Sequence, residues 1–101
     1  MIIHLEKADE FEKEVQGGLV LVDFYADWCG PCQMLAPELE ALEKETGIKI
    51  VKINVDVVPE IARRFRIMSI PTLMLFNNNA LVKRESTYMP LAHLKEFIKV
   101  E

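Results

Sequence analysis

Along this chain the apolar positions change period repeatedly, and each change marks a predicted element. "LVLVDFYA" (Leu19 to Ala26) is a nearly continuous run of β-prone residues, the pattern of a strand covered on both faces in a partly parallel sheet. "IKIVKINV" (Ile48 to Val55) reads as a second central strand, and Ile2 to His4 as a short opening one. Helical spacing takes over between them. In "KADEFEKEVQ" Ala8, Phe11 and Val15 share one face until Gly17-Gly18 stops the helix. "QMLAPELEALEKET" brings Met34, Leu35, Leu39 and Leu42 to one side, with Pro37 predicted to kink the helix and Gly47 to end it. "VPEIARRF" starts a short helix at Pro59. "TLMLF" and "ALVKRES" flank Asn77-Asn78-Asn79, a hairpin turn in which Asn tolerates positive φ. "PLAHLKEFIKV" then sets Leu91, Leu94 and Ile98 on one face behind Pro90, an amphipathic closing helix.

The resulting order is β-α-β-α-β-α-β-β-α. Strands joined through helices imply parallel pairing, and the last hairpin adds antiparallel strands. The expected fold class is therefore α/β, a mixed sheet with helices against it. No repeat, linker or low-complexity segment divides residues 1–101, which read as a single domain. Half of the residues are apolar and 28% are charged, ordinary for a chain that builds a core. A formal net charge of −4 argues against nucleic acid as a partner. The one basic cluster, "RRFR" at Arg63 to Arg66, is read as a solvated helix end. No apolar run is long enough to span a bilayer, and the N-terminus lacks the basic and apolar regions of a secretory signal. A cytoplasmic location is expected.

The chemistry concentrates in "DFYADWCGPCQ", which holds the only two cysteines, Cys29 and Cys32. A structural zinc site needs four ligands, and His4 and His93 lie at opposite ends of the sequence without pair spacing. No metal is expected within one chain, although two chains could share one. A disulfide closing so short a loop would stabilise little. A redox pair uses every feature: Cys29 falls where strand gives way to helix, and Cys32 lies one turn further on the same face, within reach of an S–S bond. The free amides and positive dipole of a helix start favour a thiolate. Cys29, at the outer end, is expected to be the nucleophile and Cys32 the resolving thiol. Pro31 has no amide hydrogen to lose there, and Gly30 keeps the approach open. Asp23 interrupts the apolar strand. If buried it should have a raised pKa and could accept the Cys32 proton, through a water; if half-exposed, it is an ordinary acid. Trp28 is either core filling or a partial shield over the disulfide.

With these residues in place, the sequence resembles the thioredoxin family. "WCGPC" at Trp28 to Cys32 looks like the family's active-site motif, and "VDFYADWCGPC" reproduces its upstream strand with the buried acid, Asp23. "KINVD" puts Lys52 where the family keeps a lysine near that acid, and "MSIPTLMLF" resembles its cis-proline segment, implying a cis Ile70–Pro71 bond. The similarity runs from "IIHL" to "LKEFI". It implies the thioredoxin fold, a central sheet of about five strands flanked by about four helices. It also implies an enzyme that reduces protein disulfides, a partner groove of Trp28, Ile70, Pro71 and Thr87, and no bound cofactor besides the Cys29–Cys32 disulfide. A thioredoxin reductase, NADPH- and flavin-dependent, would restore the dithiol, and a monomer is expected. The reference potential for thioredoxins, about −270 mV, comes with the resemblance and not from this sequence.

The chain departs from the family pattern at Asn79 and Thr87, where Gly is common, and at Asp27 and Gln33, which make the rim less positive. Thr87 would narrow the space beside the disulfide. A member dedicated to one partner, and a binding or assembly subunit with an incidental dithiol, therefore stand as alternatives.

Overall fold

The computed structural model describes residues 1–100. Its elements follow the predicted order: β1 (Ile2–His4), α1 (Phe11–Glu14), β2 (Leu19–Tyr25), α2 (Gly30–Thr46), β3 (Lys49–Asn54), α3 (Pro59–Arg64), β4 (Thr72–Asn77), β5 (Ala80–Glu85) and α4 (Leu91–Phe97). The strands form one sheet in the order β1-β3-β2-β4-β5. β1, β3 and β2 run parallel, while β4 and β5 are antiparallel to their neighbours. The expected mixed α/β sheet of five strands with four helices is present.

β2 lies at the centre and is buried from Val20 to Phe24. Successive side chains of a strand point to opposite faces, so its residues feed two cores. Val20, Val22 and Phe24 pack with Phe11, Val15 and Ile61 on one side. Leu21 packs with Leu35, Leu39, Leu42, Leu94 and Phe97 on the other. Asp23, two residues on from Leu21, shares the α2 and α4 face.

The helices differ from expectation in three respects. The first is short, a 3-10 turn at Ala8–Glu10 followed by the four residues of α1. Phe11 and Val15 are nevertheless buried as predicted. Gly17 and Gly18 end it at positive φ, and their amides bond to the Asn79 and Asn78 side chains of the hairpin. Second, α2 begins at Gly30 and absorbs most of the cysteine motif. It continues as helix through Pro37, which deprives the Gln33 carbonyl of its helical donor. Gly47 ends it in the left-handed conformation, its amide bonding to the Glu43 carbonyl at 2.8 Å. Third, Met34 is not on the buried face of α2. The i, i+3, i+4 stripe runs through Cys32, Leu35, Leu39 and Leu42, and Met34, one residue off it, is 61% exposed.

Asn78 and Asn79 take φ of 51° and 72°, the paired positive values of a two-residue hairpin turn. Glu38 on α2 accepts the Leu91 amide at 2.8 Å, docking the start of α4. "RRFR" lies at the end of α3, where Arg64 pairs with Glu12 and stacks over Phe11 and Phe65. Among the described residues no helix is long and apolar enough to cross a membrane.

The two faces of α2 predict opposite outcomes in urea denaturation. Leu39→Ala should lose about 2–5 kcal/mol and Met34→Ala no more than about 0.5 kcal/mol. Equal losses would contradict this packing.

Candidate active site

The central strand and the long helix meet at the cysteines. β2 ends at Tyr25, the chain turns through Ala26 to Trp28, and Cys29 becomes the N-cap of α2. The Cys29–Cys32 disulfide is formed, with 5.2 Å between Cα atoms. The Cys32 amide points at the Cys29 sulfur from 3.3 Å. Pro31 at the helix start has no amide to leave unpaired. Gly30 faces open space.

Residue exposure does not rank the two cysteines, since Cys29 is 4% and Cys32 5% accessible. Their surroundings do separate them. Cys29 Sγ lies 3.7 Å from the Ile70 carbonyl oxygen. Cys32 instead borders a small concavity walled by Tyr25, Ala26, Asp27, Gln33, Ala36 and Lys52. Cys29 Sγ thus has one donor beside it, the Cys32 amide, and one acceptor, the Ile70 carbonyl.

Asp23 is 1% exposed, and its Oδ1 has no hydrogen-bond partner. Burial raises its pKa from 3.8 to about 7, against the opposing pull of the Lys52 charge. Of the two readings open from sequence, the buried acid is the one observed. Lys52 sits directly across the β2–β3 ladder, its Nζ 4.0 Å from Asp23 Oδ2 and 4.6 Å from the centre of the Tyr25 ring. The Tyr25 hydroxyl in turn reaches His4 Nδ1 at 3.4 Å.

Trp28 is not core filling. It is 71% exposed, and its indole N–H donates to Asp56 Oδ2 at 3.0 Å. With Val55, Ala62, Ile67, Met68, Ser69 and Ile70 it walls an apolar concavity of about 390 Å³. Ile70–Pro71 is cis, Pro71 is buried and Ile70 half-buried. Ile70, Val55 and Tyr25 pack against the disulfide. Thr87 is exposed in the loop between β5 and α4, its hydroxyl donating to the Tyr88 carbonyl at 3.3 Å. It is not among the walls of the Trp28 concavity.

Three contributors were missed from sequence. Asp56 holds the Trp28 indole, Tyr25 supports Lys52, and Met68 lies 90% exposed on the concavity wall. An apolar Met68 in a turn just before Ile70-Pro71 was a readable signal. The Trp28–Asp56 pair, 28 residues apart, had none.

Fold and site together define a thiol–disulfide oxidoreductase, an enzyme that passes electron pairs through two neighbouring thiols. The family description "Thioredoxin" matches residues 2–100. The chain is 48% identical over 90 residues to a thioredoxin of Listeria monocytogenes, covering 87% of each sequence. A Fasciola hepatica thioredoxin structure superposes with a TM-score of 0.87 at 36% identity, covering 95% of both chains. A mutant thioredoxin from Halobacterium salinarum gives 0.90 at 35% identity, covering 96% of this chain and 87% of that one. The chain belongs to the thioredoxin family. Membership carries with it, in general terms, protein substrates and a reductase as redox partner.

Asp23 makes stability depend on pH. Unfolded, it ionises near 3.8; folded, it keeps its proton to about pH 7. Between those values the folded state binds more protons, so stability falls as pH rises and the full loss is present above pH 7. The offset from 3.8 to about 7 corresponds to roughly 4 kcal/mol. In denaturation of the disulfide form, Asp23→Ala should gain a few kcal/mol on its parent between pH 4 and pH 8. A difference independent of pH would mean that Asp23 ionises normally.

Proposed function

We propose that this enzyme works mainly as a reductant of protein disulfides, with Cys29 as the attacking thiolate and Cys32 as the resolving thiol. One observation carries the assignment of roles: Cys29 is the helix N-cap, and its sulfur receives the Cys32 amide. Stabilisation of negative charge is therefore directed at Cys29.

In the first step the Cys29 thiolate attacks one sulfur of the partner's disulfide. A mixed disulfide forms and the partner's other sulfur leaves as a thiolate, which takes a proton from solvent. In the second step the Cys32 thiolate attacks Cys29 Sγ and expels the partner's remaining sulfur. The Cys29–Cys32 bond closes, and two electrons have passed to the partner. Cys32 must lose a proton for this, and the buried carboxylate of Asp23 is the acceptor, through a water. Its pKa of about 7 suits that exchange. Lys52 holds Asp23 toward the ionised form, and Tyr25 keeps Lys52 in place.

The partner lies along Trp28, Ile70 and Pro71, with an apolar side chain in the concavity that Met68 helps to wall. Thr87 is not among the residues that wall this concavity, so its side chain gives no ground there for restricting the protein to a single partner. The electrons are carried by the disulfide alone, without a bound cofactor. An NADPH- and flavin-dependent thioredoxin reductase renews the dithiol of a monomeric, cytoplasmic protein.

Two measurements test these roles. Cys29→Ser should abolish reduction of a disulfide-bonded protein, whereas Cys32→Ser should stop after the first step and accumulate a mixed disulfide visible on a non-reducing gel. Trapping by Cys29→Ser instead would reverse the assignment. Equilibration against dithiothreitol should place the pair near the thioredoxin reference potential, about −270 mV, and a value of about −180 to −120 mV would make the protein an isomerase or oxidant.

A further inference from the structure

The turn that leads from α3 into the substrate groove is held from outside by β5. α3 ends at Arg64, and Arg66 follows at φ +52°. The Ile67 amide bonds to the Ala62 carbonyl at 2.9 Å and the Arg66 amide to the Arg63 carbonyl at 3.1 Å. These are the two bonds of a Schellman ending, with Arg66 in the left-handed position that glycine usually fills. A side chain in that conformation is strained by on the order of 1 kcal/mol and persists only where its surroundings hold it.

Arg84 on β5 is the holder. Its Nη1 donates to the Phe65 carbonyl, and its Nη2 to the Arg66 carbonyl at 3.0 Å. The next residues, Ile67 to Ile70, wall the apolar concavity. The far end of this loop is fastened by Thr72, at the start of β4, which is itself met by Ser86 just past the end of β5. Thr72 Oγ1 donates to the Ser69 carbonyl at 2.6 Å and meets Ser86 Oγ at 2.8 Å. Beyond the second fastening comes Ile70, whose carbonyl lies 3.7 Å from Cys29 Sγ.

We propose that Arg84 is a positioning residue for protein substrates: by gripping the carbonyls of Phe65 and Arg66 it presets the Ile67–Ile70 loop in its binding shape. The inference rests on the reading that the concavity beside Trp28 receives the partner. A loop already ordered loses less entropy on binding, so releasing it weakens capture of the partner and spares the chemistry. Lys83 is the built-in comparison. It sits next to Arg84, carries the same charge and caps the other layer, donating to the Phe97 and Lys99 carbonyls at 3.0 and 2.8 Å.

The experiment measures insulin disulfide reduction with dithiothreitol as electron donor, the reduction potential, and backbone amide exchange. Arg84→Met should raise KM for insulin about tenfold, the equivalent of about 1.4 kcal/mol, with kcat and potential unchanged. Arg84→Lys, shorter and without the planar fork that spans the Phe65 and Arg66 carbonyls, should fall between, and Lys83→Met should leave KM unchanged. Adding Arg66→Gly to Arg84→Met should recover most of the loss, because glycine holds positive φ without help. An unaltered KM in Arg84→Met, or an equal rise in Lys83→Met, would overturn the proposal. If Arg84→Met does not fold, Arg84→Lys decides by the same readings. Amide exchange at Arg66 and Ile67, whose amides bond to the Arg63 and Ala62 carbonyls, needs no substrate. It should quicken in the Arg84 variants, and unchanged rates would reject the clamp even if the parent proved inactive on insulin. Inactivity of the parent would count against the substrate reading alone.

Discussion

Everything at the active end of this molecule depends on β2 being covered on both faces. Five consecutive buried residues pin the strand between two cores, so neither its register nor its exit point can drift. That fixed exit delivers Cys29 to the start of α2. The same burial keeps a carboxyl group at Asp23 largely out of water. Without dry surroundings Asp23 would be an ordinary acid of no use near neutrality.

The site works by opposed tendencies. Beside Cys29, the Cys32 amide favours charge and the Ile70 carbonyl disfavours it. Around Asp23, burial favours the proton and Lys52 the charge, and the balance falls near pH 7. Each of the two groups thus stands between opposing neighbours.

Much of this was legible in the sequence because the decisive signals are local. The strand run from Leu19 to Ala26, the asparagine turn and the Cys-Gly-Pro-Cys start of α2 are each written in contiguous residues. What escaped depends on distant chain. The first helix has the right face but only part of its predicted α-helical length, its opening residues Ala8–Glu10 forming a 3-10 turn, and Gly17-Gly18 beyond it are tied to the hairpin asparagines. Met34 matched a helical spacing, yet the stripe buried by β2 and α4 runs one residue away. The Trp28–Asp56 bond, the seat of Lys52 on Tyr25 and the left-handed Arg66 all join or answer to residues far apart in sequence. The resemblance supplied the lysine and the cis-proline, which spacing alone could not.

Met68 stands 90% exposed on the wall of the concavity beside Trp28, a thioether on the surface of a redox enzyme. Oxidation to the sulfoxide would turn this apolar wall polar without touching either cysteine sulfur. With the concavity as the proposed seat of the partner, peroxide would then wear away recognition while the exchange chemistry stayed whole. The protein would also have to be mended by an enzyme acting on methionine sulfoxide, because the reductase that resets its disulfide has no purchase on that side chain.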